Sequence, residues 1–311
     1  MLDPSAFLYD QHVPLDLAVL SERTQEGTTL QDIRYASPHG GQVPAYLIFP
    51  SLHAPRAGVI FGHWGEGDRE EFVEEATILA RLGIVSLCPD APFRRPLKPG
   101  NEPSLVEIPQ GDLQWVVDVR RGVDLLLERF SLPVGRLGYV GHSYAATLAG
   151  AVAASEHRLM ALVVMAGEPA LSEWMLLTTH PALVHERETT PQGEYQAYLA
   201  ALAALDACHY IGRASPSNLF FQFARDDEYL PVERGELYYA LASEPKQIAW
   251  YDCKHAFNAV ARCDRARFLC EHLGVDLPSA EIVALLEQVR SPLPLEEWSA
   301  SGAEQAHGSS N

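Results

Sequence analysis

Basic residues are scarce in this chain. Lysine and arginine together number 23 against 41 aspartates and glutamates, for a formal net charge of −18 over 311 residues. An acidic surface repels nucleic acid and anionic membrane, so neither is expected as a partner. Cysteine is scarce as well: Cys88, Cys208, Cys253, Cys263 and Cys270 are odd in number and form no C-x-x-C pair. A zinc site or thioredoxin-type motif is therefore unsupported, and scattered thiols fit a reducing compartment. No apolar run approaches the ~20 residues of a membrane span. Asp3, Asp10 and Asp16 stand where a signal peptide needs a basic start and an apolar centre. His180, His185 and His209 lack metal-ligand spacing. Gly62 to Gly67 is glycine-rich but spells neither G-x-G-x-x-G nor a phosphate loop with its Lys-Ser/Thr pair. The expectation is a soluble cytoplasmic protein with no metal and no organic cofactor.

What the chain does have is a full core's worth of apolar sequence. It is 47% hydrophobic and 21% charged, and a chain of this length buries roughly three quarters of its surface. Residues 1–30 mix apolar and acidic residues without a clear period and read as a leader packed on the body. Asp32 to Ala36 and Val43 to Phe49 read as two strands joined in a hairpin through Ser37-Pro38-His39-Gly40-Gly41. Gly58 to Gly62 and Ile84 to Cys88 are apolar on both faces, as central parallel strands are. Arg69 to Leu82 has helical spacing between them. A proline-rich loop carrying Arg94, Arg95 and Lys98 runs to Gln110, followed by a long helix ending near Phe130. These three cations either attract a carboxylate-bearing substrate or simply face solvent.

Leu159 to Met165, Leu219 to Ala224 and Gln247 to Tyr251 are further strands, with helices at Val232 to Ala242 and Asn258 to Leu273. Strand–helix alternation lapses over 168–217, a lid-like helical insertion between the sixth and seventh strands. Trp174, Met175, Tyr195 and Tyr198 there either line a substrate pocket or form the insertion's own small core. Residues 277–311 form a C-terminal extension with a short helix over Ala280 to Arg290 and a loose end. The whole predicts an α/β fold: one domain over 1–276, with a mostly parallel sheet covered by helices on both faces. Sites in such sheets lie past the C-terminal strand ends.

Three post-strand loops carry chemistry. Arg136-Leu137-Gly138-Tyr139-Val140-Gly141-His142-Ser143-Tyr144-Ala145 has the form of a strand, a tight turn with serine at its apex, and a small-residue helix. The pattern of such an elbow is G-x-S-x-G, and Ala145 replaces its last glycine. So loose a pattern recurs by chance, and the rest of the chain decides. Asp226 and Asp227 follow one strand, and His255 follows the next. A serine hydroxyl needs a base as it attacks; imidazole supplies one, and a carboxylate on its far nitrogen fixes the tautomer. The order Ser, Asp, His is the one that α/β-type hydrolases use. The tetrahedral oxygen needs two backbone N–H donors: Tyr144, directly after the serine, and one from the loop His63-Trp64-Gly65. His142 reads as facing the sheet, and His63 as holding its loop.

With these blocks the chain resembles the α/β-hydrolases, and among them serine esterases similar to dienelactone hydrolases and to the prolyl-oligopeptidase-type catalytic domain. The resemblance spans Ile33 to Leu273 and includes Val43 to Leu47, Cys88-Pro89-Asp90-Ala91-Pro92 and Lys254-His255-Ala256-Phe257. It implies Asp227 as the acid, four residues before Pro231, with Asp226 as a neighbouring rival. It implies His255 as the general base and Gly65 as the second oxyanion donor, although Trp64 stands where such loops carry glycine and is a rival donor. Dienelactone hydrolases use cysteine where this chain has Ser143, which favours ordinary esters. About 30 residues before the first strand cannot build the propeller of the peptidases. The expectation is therefore an esterase working on small-molecule esters through an acyl-enzyme. Thioesters, lactones and peptides are the alternatives within the same chemistry. A non-catalytic binding protein on the same fold is the alternative outside it.

Overall fold

The computed structural model describes residues 1–96 and 103–290. Lys98 and the end of the C-terminal extension lie outside the described residues.

The chain opens with a stretch ending in β1 (Ala18–Gln25), which hairpins into β2 (Thr28–Ala36), and β2 hairpins into β3 (Gln42–Pro50). Glu26 and Gly27 make the first turn, both with positive φ, as a two-residue hairpin loop requires. β1 corrects the sequence expectation, which places the first strand after residue 30. All eight of its residues are exposed, so it shows no apolar alternation, and its ladder to β2 is what defines it.

From there the chain alternates. β4 (Ala57–Gly62), α1 (Val73–Ala80), β5 (Ile84–Pro89), α2 (Ile108–Phe130) and β6 (Leu137–His142) come first. Next are the short helices α3 (Tyr144–Thr147) and α4 (Ala149–Ser155), and β7 (Leu159–Met165). Helices α5 (Leu171–Leu177), α6 (Pro181–Thr189) and α7 (Gln192–Ala203) precede β8 (Asn218–Ala224). Helix α8 (Val232–Leu241), β9 (Lys246–Tyr251), α9 (Ala259–Leu273) and α10 (Ala280–Gln288) close the described chain. Helix α1 starts four residues later than the periodicity predicts. Arg69 is tied instead to the Asp32 carboxylate at 2.7 Å, and its N–H to Asp90 at 3.0 Å.

Among the described residues nine strands form one sheet in the order β1-β2-β3-β5-β4-β6-β7-β8-β9. The first three pairings are antiparallel and the rest parallel. Alternate strand residues divide between two cores. Ile60, Tyr139 and Val164 join α2, α4 and α8 on one face. Val59, Phe61 and Val140 join α1, α9 and α10 on the other. This two-sided burial is why the central strands read as unbroken apolar runs. Met175, Tyr195, Tyr198 and Leu202 make a third, smaller cluster among α5 to α7. Trp174 packs instead against the second core. Among the described residues no helix is long and apolar enough to cross a membrane.

Candidate active site

Ser143 sits between β6 and α3 with φ 50° and ψ −103°, a region L-residues avoid and one that stores strain of about 1–3 kcal/mol. The surroundings over-determine it. Its N–H donates to the Met165 carbonyl at 2.8 Å, and its own carbonyl accepts from the Thr147 N–H at 2.8 Å. Small residues make the turn possible. A Cβ on Gly141 would fall 2.7 Å from the Ala145 carbonyl oxygen. The departure from the glycine pattern at Ala145 has a local explanation: a Cβ on Gly62, at the end of neighbouring β4, would lie 2.5 Å from the Ala145 Cβ. Gly62 leaves the space that the Ala145 methyl occupies. The Tyr139 hydroxyl, donating to the Ala145 carbonyl at 2.9 Å, ties the first helical turn back to β6.

The loops after β8 and β9 bring Asp227 and His255 together. The His255 Nδ1–H faces both Asp227 oxygens, at 2.9 and 2.8 Å, which leaves Nε2 with its lone pair. Both side chains are buried. Burial raises the Asp227 carboxyl, but the hydrogen bond and charge of His255, with the Tyr229 and Leu230 N–H donors at 2.9 and 3.0 Å, outweigh it. The carboxyl therefore lies below its ordinary value. Asp226, the rival, is exposed, and its N–H donates to the Cys253 carbonyl. The His255 N–H donates to Glu228 at 3.0 Å, and the Tyr229 ring packs against the imidazole with centroids 4.7 Å apart.

The loop after β4 is held from two sides. His63 is buried, and its Nε2 accepts from the Ala91 N–H at 3.0 Å. Its Nδ1–H therefore donates to the Trp64 carbonyl at 2.7 Å. Burial pushes the His63 imidazole below its ordinary value, consistent with this neutral tautomer. The Trp64 N–H donates to Glu71 at 2.8 Å and is thus engaged, while the neighbouring Gly65 N–H has no hydrogen-bond partner among the described residues. The same holds for the Tyr144 N–H, a first-turn donor that a helix leaves open. Arg94 clamps the loop's far side, donating to the Gly67 carbonyl at 2.7 Å and to that of Glu66. Arg95 pairs with Asp118 at 2.6 Å. Both arginines are thus committed to the protein itself.

Two residues of this region carry no sequence signal. Glu71 belongs to an acidic run that reads as a helix start. It accepts from Trp64 through one oxygen and meets His142 Nδ1 through the other at 2.6 Å. His142, fully buried, donates its Nε2–H to the main-chain carbonyl of His255 at 3.0 Å. Its ring stacks on Trp64, with planes 3° apart. Glu71 and His142 so link the loop after β4 to the loop after β9. Asp112 is the second, a buried carboxyl near the start of α2. Burial pushes it up to about 7, and the nearby Tyr144 offsets this only in part.

The insertion reaches the site through His180, whose ring stacks on Tyr229 at 5.1 Å. His185 lies apart from these contacts. His209 lies beside Asp206 and Cys208, their ligand-type atoms within 4.8 Å of one another; the Asp206 carboxylate there already accepts from Ser172. All five cysteines are free thiols.

Solved structures share this architecture. An acetyl xylan esterase from Paenibacillus sp. R4 superposes with TM-score 0.70 at 17% identity, over 86% of this chain and 91% of its own. An acetyl xylan esterase from Thermoanaerobacterium sp. JW/SL YS485 does so with TM-score 0.70 at 16% identity, over 86% and 91%. An alpha/beta hydrolase, GrgF, from Penicillium sp. sh18 gives 0.60 at 14%, over 79% and 99%. No family model matches the sequence, and no curated protein does. At these identities the likeness establishes the fold, and this chain has the α/β-hydrolase fold.

Proposed function

We propose that the protein is a serine hydrolase that cleaves small-molecule carboxylic esters through an acyl-enzyme. Ser143 attacks the ester carbonyl while His255 Nε2 takes its proton. Asp227 holds the imidazole in the tautomer that leaves Nε2 basic and stabilises the imidazolium once it forms. The Gly65 and Tyr144 N–H groups receive the oxyanion. His255 then protonates the leaving alkoxide, and water, deprotonated by the same imidazole, releases the acid. The mechanism calls on no metal or organic cofactor.

The observation that carries this reading is the Asp227 carboxylate on His255 Nδ1, at 2.8 and 2.9 Å, in a chain whose Ser143 occupies a strained strand–helix turn. The engagement of the Trp64 amide by Glu71 supports Gly65 as the second donor. The names of the structural neighbours, acetyl xylan esterases among them, favour esters over the other acyl substrates.

The test is Ser143→Ala assayed on p-nitrophenyl acetate, together with labelling of the wild type by a fluorophosphonate probe. Turnover should fall by a factor on the order of 10⁴ to 10⁶, and the probe should label Ser143. Wild-type turnover in the variant, or no labelling of folded protein, overturns the reading.

A further inference from the structure

A hydrogen bond at one nitrogen orients an imidazole incompletely, because the ring can still pivot about the N–H axis. Asp227 meets the Nδ1 edge of His255, so the ring's neighbours decide where Nε2 points. Tyr229, His142 and Trp64 lie against it, with centroids 4.7, 5.1 and 6.1 Å away. His142 and Trp64 are both bonded to Glu71. Tyr229, the nearest of the three, is held in another way.

Tyr229 is fixed at three points. Its N–H donates to Asp227 at 2.9 Å, so the residue against the imidazole also binds the carboxylate. Its hydroxyl donates to Glu66 at 3.3 Å, across to the loop after β4. Burial, and then the charge of Glu66, keep the phenol above its ordinary value, so it stays a donor. The His180 ring of the insertion stacks on it, with planes 26° apart. His180 Nδ1 is buried without a hydrogen-bond partner, so ring stacking is what this nitrogen's side of the insertion offers.

The bond to Glu66 bears on Gly65, which has no side chain to anchor it. Its N–H is aimed by what holds its neighbours. The Trp64 carbonyl accepts the His63 Nδ1–H. Glu66 is held through its carbonyl by Arg94 and through its carboxylate by Tyr229.

We propose that Tyr229 is a positioning residue for the reaction. Its ring sets the plane of His255, its hydroxyl steadies the loop that carries Gly65, and His180 holds the ring from the insertion. The inference rests on the reading of Ser143 as nucleophile. A reacting group misplaced by ~1 Å costs about 10²-fold in rate, whereas one neutral hydrogen bond is worth about three- to tenfold. The ring should therefore matter more than the hydroxyl.

The test combines kcat and KM on p-nitrophenyl acetate with the rate of fluorophosphonate labelling at Ser143, on variants shown to be folded by circular dichroism. Tyr229→Leu keeps apolar bulk without a ring. It should lower kcat and the labelling rate together by about 10²-fold and change KM less than about threefold. Tyr229→Phe restores the ring and should recover to about three- to tenfold below wild type. Glu66→Ala should lose as much as Tyr229→Phe, the double variant no more than either, and Glu66→Gln, which keeps an acceptor, less. His180→Ala should cost about two- to fivefold in the wild type but under about twofold in Tyr229→Leu, because it acts through that ring. If Tyr229→Leu does not fold, the cycle of Tyr229→Phe with Glu66→Ala decides. Turnover and labelling within about twofold of wild type in folded Tyr229→Leu overturn the proposal. So does a loss confined to KM, which would make Tyr229 a wall of the substrate pocket. Strictly multiplicative losses at Glu66 and Tyr229 overturn the role of the hydroxyl. Absence of labelling at Ser143 in the wild type is a different result and sinks the ester-hydrolase reading itself.

Discussion

His142 and Glu71, 71 residues apart in sequence, meet at 2.6 Å in the interior and join the loop after β4 to the loop after β9. The pair is charge-balanced whichever atom holds the proton between them, because His142 Nε2 must carry hydrogen to meet a carbonyl. Glu71→Ala would leave both the His142 Nδ1 and the Trp64 N–H without an acceptor. Breaking a buried pair of this kind costs about 3–5 kcal/mol. Urea denaturation should show a loss of that size, and Glu71→Gln, which keeps an acceptor for Trp64, should lose less. A loss below about 1 kcal/mol for the alanine variant would show that the link contributes little.

Asp227→Asn tests the proposed acid separately from the nucleophile. An amide presents its own N–H and reverses the tautomer preference of His255, so turnover on p-nitrophenyl acetate should drop by about 10⁴. Asp226→Asn, at the exposed neighbour, should leave turnover within about twofold. Equal losses in the two variants would remove the distinction.

Ser143 at φ 50° should be a place where stability and turnover trade against each other. Glycine tolerates this conformation, so Ser143→Gly should abolish turnover while raising stability by about 1 kcal/mol. Thermal melts of wild type and variant decide it; a lower melting temperature in the glycine variant contradicts the strain argument.

Asp112 makes stability depend on pH in a direction that can be worked out. Its folded value of about 7 exceeds the ordinary 3.8, so the folded chain keeps a proton that the unfolded chain has released. Its contribution is fully present below about pH 4, falls as pH rises toward about 7, and levels off above. The loss is at most ~4 kcal/mol at 1.36 kcal/mol per unit. Asparagine does not titrate, so urea denaturation should show Asp112→Asn gaining on the wild type between pH 4.5 and pH 8. A constant difference across that range would mean that Asp112 is not held protonated.

Gly62 and Ala145 should be coupled. Gly62→Ala places a methyl 2.5 Å from that of Ala145, an overpacking that costs about 1–3 kcal/mol. Ala145→Gly in the same chain relieves that contact, and the double variant should recover part of the loss. Strict additivity in denaturation would show that the two sites do not share the space; the Trp115 and Tyr139 side chains also near Gly62 set how much is recovered.

What the sequence revealed followed from how directly each feature is written in neighbouring residues. β4, β5 and β7 are buried on both faces, and their apolar runs announce them. Ser143 and Asp227 follow strands of the same kind, β6 and β8, and His255 follows the half-buried β9, so their order along the chain was legible before any coordinate was known. β1 was not, because a strand exposed on both faces has no pattern to read. Glu71 and Asp112 were not, because what marks each is a relation to residues distant along the chain: to Trp64 and His142 for one, to the Tyr144 side chain for the other. The insertion's aromatics stayed ambiguous for the same reason. Their helical spacing fits a local core, where Met175, Tyr195 and Tyr198 pack, but says nothing of Trp174, which turns toward the body.

The exposed first strand has a consequence for where the molecule opens. β1 stands at the end of the sheet order, secured by a single ladder, and its bulge between Val19 and Ser21 interrupts even that. Few apolar contacts and solvent-facing hydrogen bonds make such a strand the first to exchange its amide protons. Three strands, β2, β3 and β5, separate it from β4 and the loops that gather around Ser143. Breathing at that margin should therefore die out before it reaches Ser143, and deuterium should enter β1 long before it enters β6.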